Sequence, residues 1–124
     1  MKFYNGASHE LTMMNVLRVM EEVGVNNRLI VLAQSLLETG FYKSNVCKTK
    51  NNLFGLRHPR TGAYMKFERW EDSVIGYKKF VQYKYKEGNY FSFLKRIGYA
   101  EDPRYIYKVA KITKQLATGE KIID

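Results

Sequence analysis

The sequence of 124 residues contains one cysteine, Cys47, and only two prolines, Pro59 and Pro103. A lone cysteine excludes an intramolecular disulfide framework. The two histidines, His9 and His58, lie far apart and lack metal-ligand spacing with Cys47, so no metal site and no cofactor is expected. No glycine-rich loop follows a strand in the arrangement that cradles phosphates. Lys48 beside Cys47 would lower the thiol pKa, but neither histidine stands in a pattern that would make Cys47 a nucleophile. Long apolar runs are also missing, and no window approaches the length that spans a bilayer, so membrane insertion is not expected. The amino-terminal stretch places Asn5, Ser8, His9 and Glu10 where a signal peptide would be continuously apolar. Delivery outside the cytoplasm would therefore need something other than a standard signal in this chain.

Acidic residues are scarce as well. Twelve Asp and Glu face 21 Lys and Arg, a formal net charge of +9. Such an excess favours anionic partners, whether nucleic acid, a membrane surface or an acidic wall polymer, and carries no information on fold. The length suits a single compact domain over residues 1–124, and 45% hydrophobic with 15% aromatic content argues against disorder.

The hydrophobic pattern predicts a mainly α domain. Apolar residues between positions 9 and 23 recur at the helical period and end at Gly24. A second helix is expected from Asn26 or Asn27 as N-cap, through Leu29, Leu32, Ala33, Leu36 and Leu37, ending at Gly40. From Phe41 to Trp70 the period fades, and His58-Pro59-Arg60-Thr61-Gly62 reads as the turn of a small hairpin. Helical spacing returns from Val74 to Tyr85 and from Tyr90 to Ile97. The last helix is expected to have Asp102 as N-cap and Pro103 at its first position. A small irregular or β-hairpin lobe thus interrupts a helical domain.

Glu38 is the carboxylate that stands out. It ends an apolar helix and is flanked by Leu36, Leu37, Phe41 and Tyr42. Apolar surroundings and the negative end of the helix dipole both disfavour its charge and raise its pKa, as a general acid near neutrality requires. The tyrosines of the second half, among them Tyr77, Tyr99 and Tyr105, offer flat apolar faces with polar tips that suit a pyranose ring. Interleaved with Lys and Arg, they also suit single-stranded nucleic acid. Ordinary core packing accounts for about half to two-thirds of the aromatics.

Four segments together resemble the glucosaminidase domain of bacterial cell-wall hydrolases, a lysozyme-like family of glycoside hydrolases that includes flagellar rod-associated enzymes. They are Ala33-Gln34-Ser35-Leu36-Leu37-Glu38-Thr39-Gly40-Phe41, Asn51-Asn52-Leu53-Phe54-Gly55-Leu56, the stretch from Phe67 to Tyr77, and Gly98-Tyr99-Ala100-Glu101-Asp102-Pro103-Arg104-Tyr105. The matches run in family order from about residue 25 to residue 112.

The resemblance implies a lysozyme-like fold and hydrolysis of β-1,4 bonds of peptidoglycan on the reducing side of N-acetylglucosamine. It makes peptidoglycan glycan strands the partner, with no nucleic acid, and the protein a monomer acting on the cell wall. Glu38 matches the catalytic glutamate, and Tyr99 matches a cleft tyrosine that would bind the sugar or orient a water. Asn52 and Phe54 fall in the cleft-wall segment, and Gln34, Tyr77 and Tyr105 are further candidate substrate contacts. Many members carry a second carboxylate in the lobe. Here Leu56 to Phe67 contains no Asp or Glu, which leaves Glu68 as the candidate, or the substrate's own 2-acetamido group. Glu71 and Asp72 read as helix-start acids. The same residues leave room for a muramidase or lytic transglycosylase, for a non-catalytic wall-binding module, and for a nucleic-acid-binding module resting on charge.

Overall fold

The computed structural model describes residues 1–119, so the end of the expected 1–124 domain lies outside the described residues. Six helices make up most of it: α1 Met13–Val23, α2 Arg28–Thr39, α3 Asn45–Lys50, α4 Trp70–Phe80, α5 Tyr90–Arg96 and α6 Tyr105–Thr118, with a 3-10 turn Gln82–Lys84 after α4. The expectation of a mainly α, lysozyme-like domain is met.

Helix α2 is the centre of the packing. It lies against both α1 and α6, and α1 in turn packs on α4. Val31, Leu32, Ala33, Gln34, Ser35, Leu36 and Thr39 are all buried, so α2 is enclosed on nearly every side rather than along one stripe. Each fully buried Val or Leu here contributes about 1.5–3 kcal/mol relative to exposure, which anchors the helix that carries Glu38. Its N-cap is Asn27, but the side chain makes no cap hydrogen bond; Asn27 takes a left-handed φ of 54° and its carbonyl accepts Val31 N–H at 3.0 Å.

The lobe between α3 and α4 is a minimal hairpin. One antiparallel bridge joins Arg57 and Tyr64, and Met65 N–H donates to Leu56 O at 2.9 Å. Asn52 holds it together from inside. Its amide nitrogen donates to Leu56 O (2.9 Å) and Met65 O (3.0 Å), while its oxygen accepts Leu56 N–H (3.0 Å) and Phe54 N–H (3.3 Å).

Three expectations need correction. The first helix starts at Met13 rather than near His9, because the Thr12 hydroxyl caps it by accepting Asn15 N–H at 3.1 Å. Helix α3 was hidden in the aperiodic stretch; it has only six residues, with Ser44 as its cap. Helix α6 begins at Tyr105, not Pro103: Asp102 instead caps the preceding turn, its side chain accepting Arg104 N–H at 2.8 Å and its carbonyl Tyr105 N–H at 3.0 Å.

Glu71 and Asp72 sit in the first turn of α4, where the dipole favours them, but both are also almost fully buried. Asp72 accepts the backbone N–H groups of Phe3 and Tyr4, each at 2.6 Å, and of Arg69 at 3.0 Å. Glu71 accepts His9 N–H at 2.7 Å and meets the His9 ring at 3.1 Å. The two carboxylates therefore fasten the irregular segment 1–12 across α4. Asp72→Ala leaves three amide donors without their acceptor, and we expect a loss of about 3 kcal/mol or more in chemical denaturation. An unchanged midpoint would show that the amino-terminal segment adds nothing to stability.

Candidate active site

Glu38 occupies the last turn of α2, half-buried. Directly after it Gly40, Phe41 and Tyr42 take consecutive left-handed φ values of 55°, 61° and 68°. For Phe and Tyr this conformation costs about 1–3 kcal/mol each, so surrounding bonds must enforce it. They do: Phe41 N–H donates to Leu36 O (2.8 Å), Tyr42 N–H to the Thr39 hydroxyl (2.8 Å), and the Tyr42 hydroxyl pairs with that of Ser35 (2.9 Å). The chain thus turns sharply away and leaves the Glu38 carboxyl facing a groove.

That groove has a volume of about 650 Å³. Its walls come from three places: Glu38 at the end of α2, Phe54 to Arg57 with Gly62 and Tyr64 from the lobe, and Gly98 to Glu101 from the α5–α6 connection. Gly55 makes the approach possible. A Cβ at this position would lie 2.8 Å from Glu38 Oε2, and its φ of 64° is one that other residues rarely adopt. Across the groove the Tyr99 hydroxyl donates to Phe54 O at 2.9 Å, tying the connection to the lobe. The Tyr99 ring stacks on Tyr105 at 5.6 Å between centroids. On the lobe side, Arg57 donates to Gly62 O and to the Tyr64 hydroxyl, both at 2.8 Å, and lies over the Tyr64 ring.

Burial pushes the Glu38 carboxyl above the ordinary glutamate range, opposed in part by a hydrogen bond from Tyr105 and by the Arg57 guanidinium. Desolvation also raises Tyr99 and Tyr105, so both phenols stay protonated at neutral pH and act as donors. The lysine effect expected at Cys47 is outweighed: burial raises its thiol, and Lys48 offsets only part of that. Among the described residues no group of His, Cys, Asp and Glu is placed to hold a metal.

The candidate residues separate into distinct sets. Glu38, Tyr99 and Phe54 line the groove together. Gln34, Tyr77 and Tyr105 lie behind it, buried, with Gln34 and Tyr77 showing no accessible surface; as substrate contacts they are corrected, because helix packing covers them. Asn52 is likewise buried and commits its amide to the lobe backbone, so it shapes the wall without reaching the groove. Glu68 is exposed beside the amino-terminal segment, its N–H donating to Met1 O at 3.0 Å, and it is not among the groove-lining residues. Arg57, Tyr64 and Glu101 line the groove but were not assigned to the site from sequence. Glu101 lies within the Gly98–Tyr105 segment, where the resemblance pointed to Tyr99 and assigned no role to the acid two residues on.

The glucosaminidase family, described as mannosyl-glycoprotein endo-beta-N-acetylglucosaminidase, matches residues 14–118. The peptidoglycan hydrolase FlgJ of Pseudomonas aeruginosa is 28% identical over 138 aligned positions, covering 82% of this chain and 34% of that protein. A protein of Streptococcus pneumoniae serotype 4, described as a candidate endo-beta-N-acetylglucosaminidase, is 31% identical over 99 positions, covering 73% of this chain and 15% of its own length. The chain thus spans about a third of the length of the first of these relatives and less of the second.

Two outcomes follow. Gly55→Ala is expected to lower stability by about 1–2 kcal/mol and to displace the Glu38 carboxyl, a change visible as altered titration of that group. Glu38→Gln is expected to raise the melting temperature at neutral pH. A carboxyl whose folded pKa is raised costs stability once ionised, so the gain shrinks as pH falls below that pKa. A melting temperature that drops on this substitution at pH 7 would contradict the burial argument.

Proposed function

The chain belongs to the glucosaminidase family, and on that premise we propose that it hydrolyses peptidoglycan at the β-1,4 bond on the reducing side of N-acetylglucosamine, with Glu38 as the general acid. The observation that carries the reading is the half-buried, charge-disfavoured Glu38 carboxyl facing a groove of about 650 Å³. A neutral carboxyl there can donate its proton to the glycosidic oxygen as the C–O bond breaks and positive charge develops on the sugar ring. The Tyr64 and Tyr99 rings in the walls offer apolar surface for the faces of the amino sugars. The net charge of +9 favours approach to the acidic wall polymer.

The second catalytic group is better sought at Glu101 than at Glu68, because Glu101 shares the groove with Glu38. In a two-carboxylate route Glu101 activates the water. In a substrate-assisted route the 2-acetamido oxygen attacks the anomeric carbon and Glu101 is dispensable. Action at the cell wall and a monomeric state complete the proposal.

Product analysis on purified peptidoglycan tests it. Wild type should release fragments with N-acetylglucosamine at the new reducing end, and Glu38→Gln should lower kcat by about 10²–10⁴-fold. Glu68→Gln should leave the rate unchanged, whereas loss of rate in Glu101→Gln selects the two-carboxylate route. Muramic acid or anhydro sugar at the new end, or full activity in Glu38→Gln, would overturn the reading.

A further inference from the structure

Behind the groove, two glutamines and three tyrosines from α2, α4, the 3-10 turn, α5 and α6 form one continuous run of hydrogen bonds that ends at the Tyr105 hydroxyl, beside Glu38. It begins on backbone. Gln82 Oε1 accepts Asn26 N–H at 3.0 Å and its Nε2 donates to Asn26 O at 2.7 Å, so the Gln82 amide has a single orientation. Its nitrogen also donates to the Tyr90 hydroxyl at 3.0 Å. Tyr90 and Tyr77 hydroxyls are 2.7 Å apart, and Tyr77 donates to Gln34 Oε1 at 2.5 Å. Gln34 Nε2 donates to the Tyr105 hydroxyl at 3.0 Å, and the Tyr105 hydroxyl is the neutral group that favours the ionised form of Glu38.

Counting protons fixes every direction. Each tyrosine has one hydroxyl hydrogen. Tyr90 accepts from Gln82, so its own hydrogen goes to Tyr77, and that of Tyr77 goes to the Gln34 oxygen. This places the Gln34 nitrogen toward Tyr105, which leaves the Tyr105 hydrogen for Glu38. Turning the Gln34 amide over would present its oxygen to Tyr105 and draw that hydrogen away from the acid. Gln34 and Glu38 are one helical turn apart on the same face of α2, so Tyr105, bonded to Gln34, is placed beside Glu38 as well.

We propose that this chain is a positioning device for Glu38: the backbone of Asn26, acting through Gln82, Tyr90, Tyr77 and Gln34, holds Tyr105 as donor to one carboxyl oxygen and confines the transferable proton to the other. The inference rests on the reading of Glu38 as the acid. Gln34 and Tyr77 are positioning residues, acting through Tyr105 without touching substrate.

The other groups around Glu38 are Arg57 and Tyr64 from the lobe and Tyr99 and Glu101 from the α5–α6 connection. None is altered in the variants below. A donated hydrogen bond favours the carboxylate, so losing it moves the acid's titration upward, and the pH at which kcat/KM falls rises with it.

The test is the pH profile of kcat/KM on soluble peptidoglycan fragments for wild type, Tyr105→Phe, Tyr77→Phe and the double variant, with circular dichroism to verify folding. Tyr105→Phe should move the high-pH limb up by about one unit. Tyr77→Phe should move it in the same direction, and the double variant no further than Tyr105→Phe alone. Should Tyr77→Phe not fold, Gln82→Met, which releases the far end, should give a smaller upward shift. A folded Tyr77→Phe or Gln82→Met whose limb stays in place, with only stability or overall rate reduced, would overturn the proposal. Glu38→Gln measured alongside keeps the two claims apart: if it remains active, the assignment of the acid fails, and the positioning role fails with it.

Discussion

A carboxyl placed at the carboxy-terminal end of a buried helix is opposed by two effects at once. It loses hydration, and it meets the negative end of the aligned peptide dipoles. Glu38 is in this position, and much of the surrounding structure can be understood as what makes it tolerable. The sharp left-handed turn at Gly40, Phe41 and Tyr42 carries the chain away and opens one side of the carboxyl to the groove. Arg57 supplies compensating positive charge from the lobe, and the Tyr105 hydroxyl also favours the ionised form. The balance shifts the carboxyl toward the neutral form relative to an ordinary glutamate, while Tyr105 and Arg57 support the ionised form left after proton donation.

The two halves of the groove are held in register by groups that never enter it. Asn52 fixes the course of the lobe, and Tyr99 bridges to that lobe through the Phe54 carbonyl. On the far side, the pairing of Asp72 and Glu71 with segment 1–12 stabilises the start of α4, which carries Tyr77 at its other end. Stability and site geometry are therefore linked through α4, although Asp72 itself is not among the groove-lining residues.

Sequence spacing was a good guide where one face of a helix decides the outcome. The ends of α2 at Gly40 and of α5 near Ile97, and the placing of Glu38 beside apolar neighbours, were legible because glycine punctuation and a 3.6-residue period have direct structural meanings. It was a poor guide to Gln34. A polar residue within an apolar helix suggests a surface or a ligand contact, and only the packing of α6 and α4 around α2 shows that its amide is spent on Tyr77 and Tyr105. Asn52 misled for the same reason: a cleft-wall motif does not reveal which way an amide points. Glu101 lay in a segment where Tyr99 drew the assignment, and Glu68 was favoured by proximity in sequence although it is not among the groove-lining residues. Helix α3, at six residues, is too short to display a period.

The central claim is that the folded protein holds Glu38 neutral beyond the pH at which an ordinary glutamate ionises. Carbon-13 labelling of glutamate side chains and NMR titration of the Glu38 carboxyl in the wild-type protein measure this directly. The account predicts a midpoint above the reference value of 4.5. A midpoint at or below that value would contradict it, since neither burial nor the helix terminus would then govern the group on which the chemistry depends.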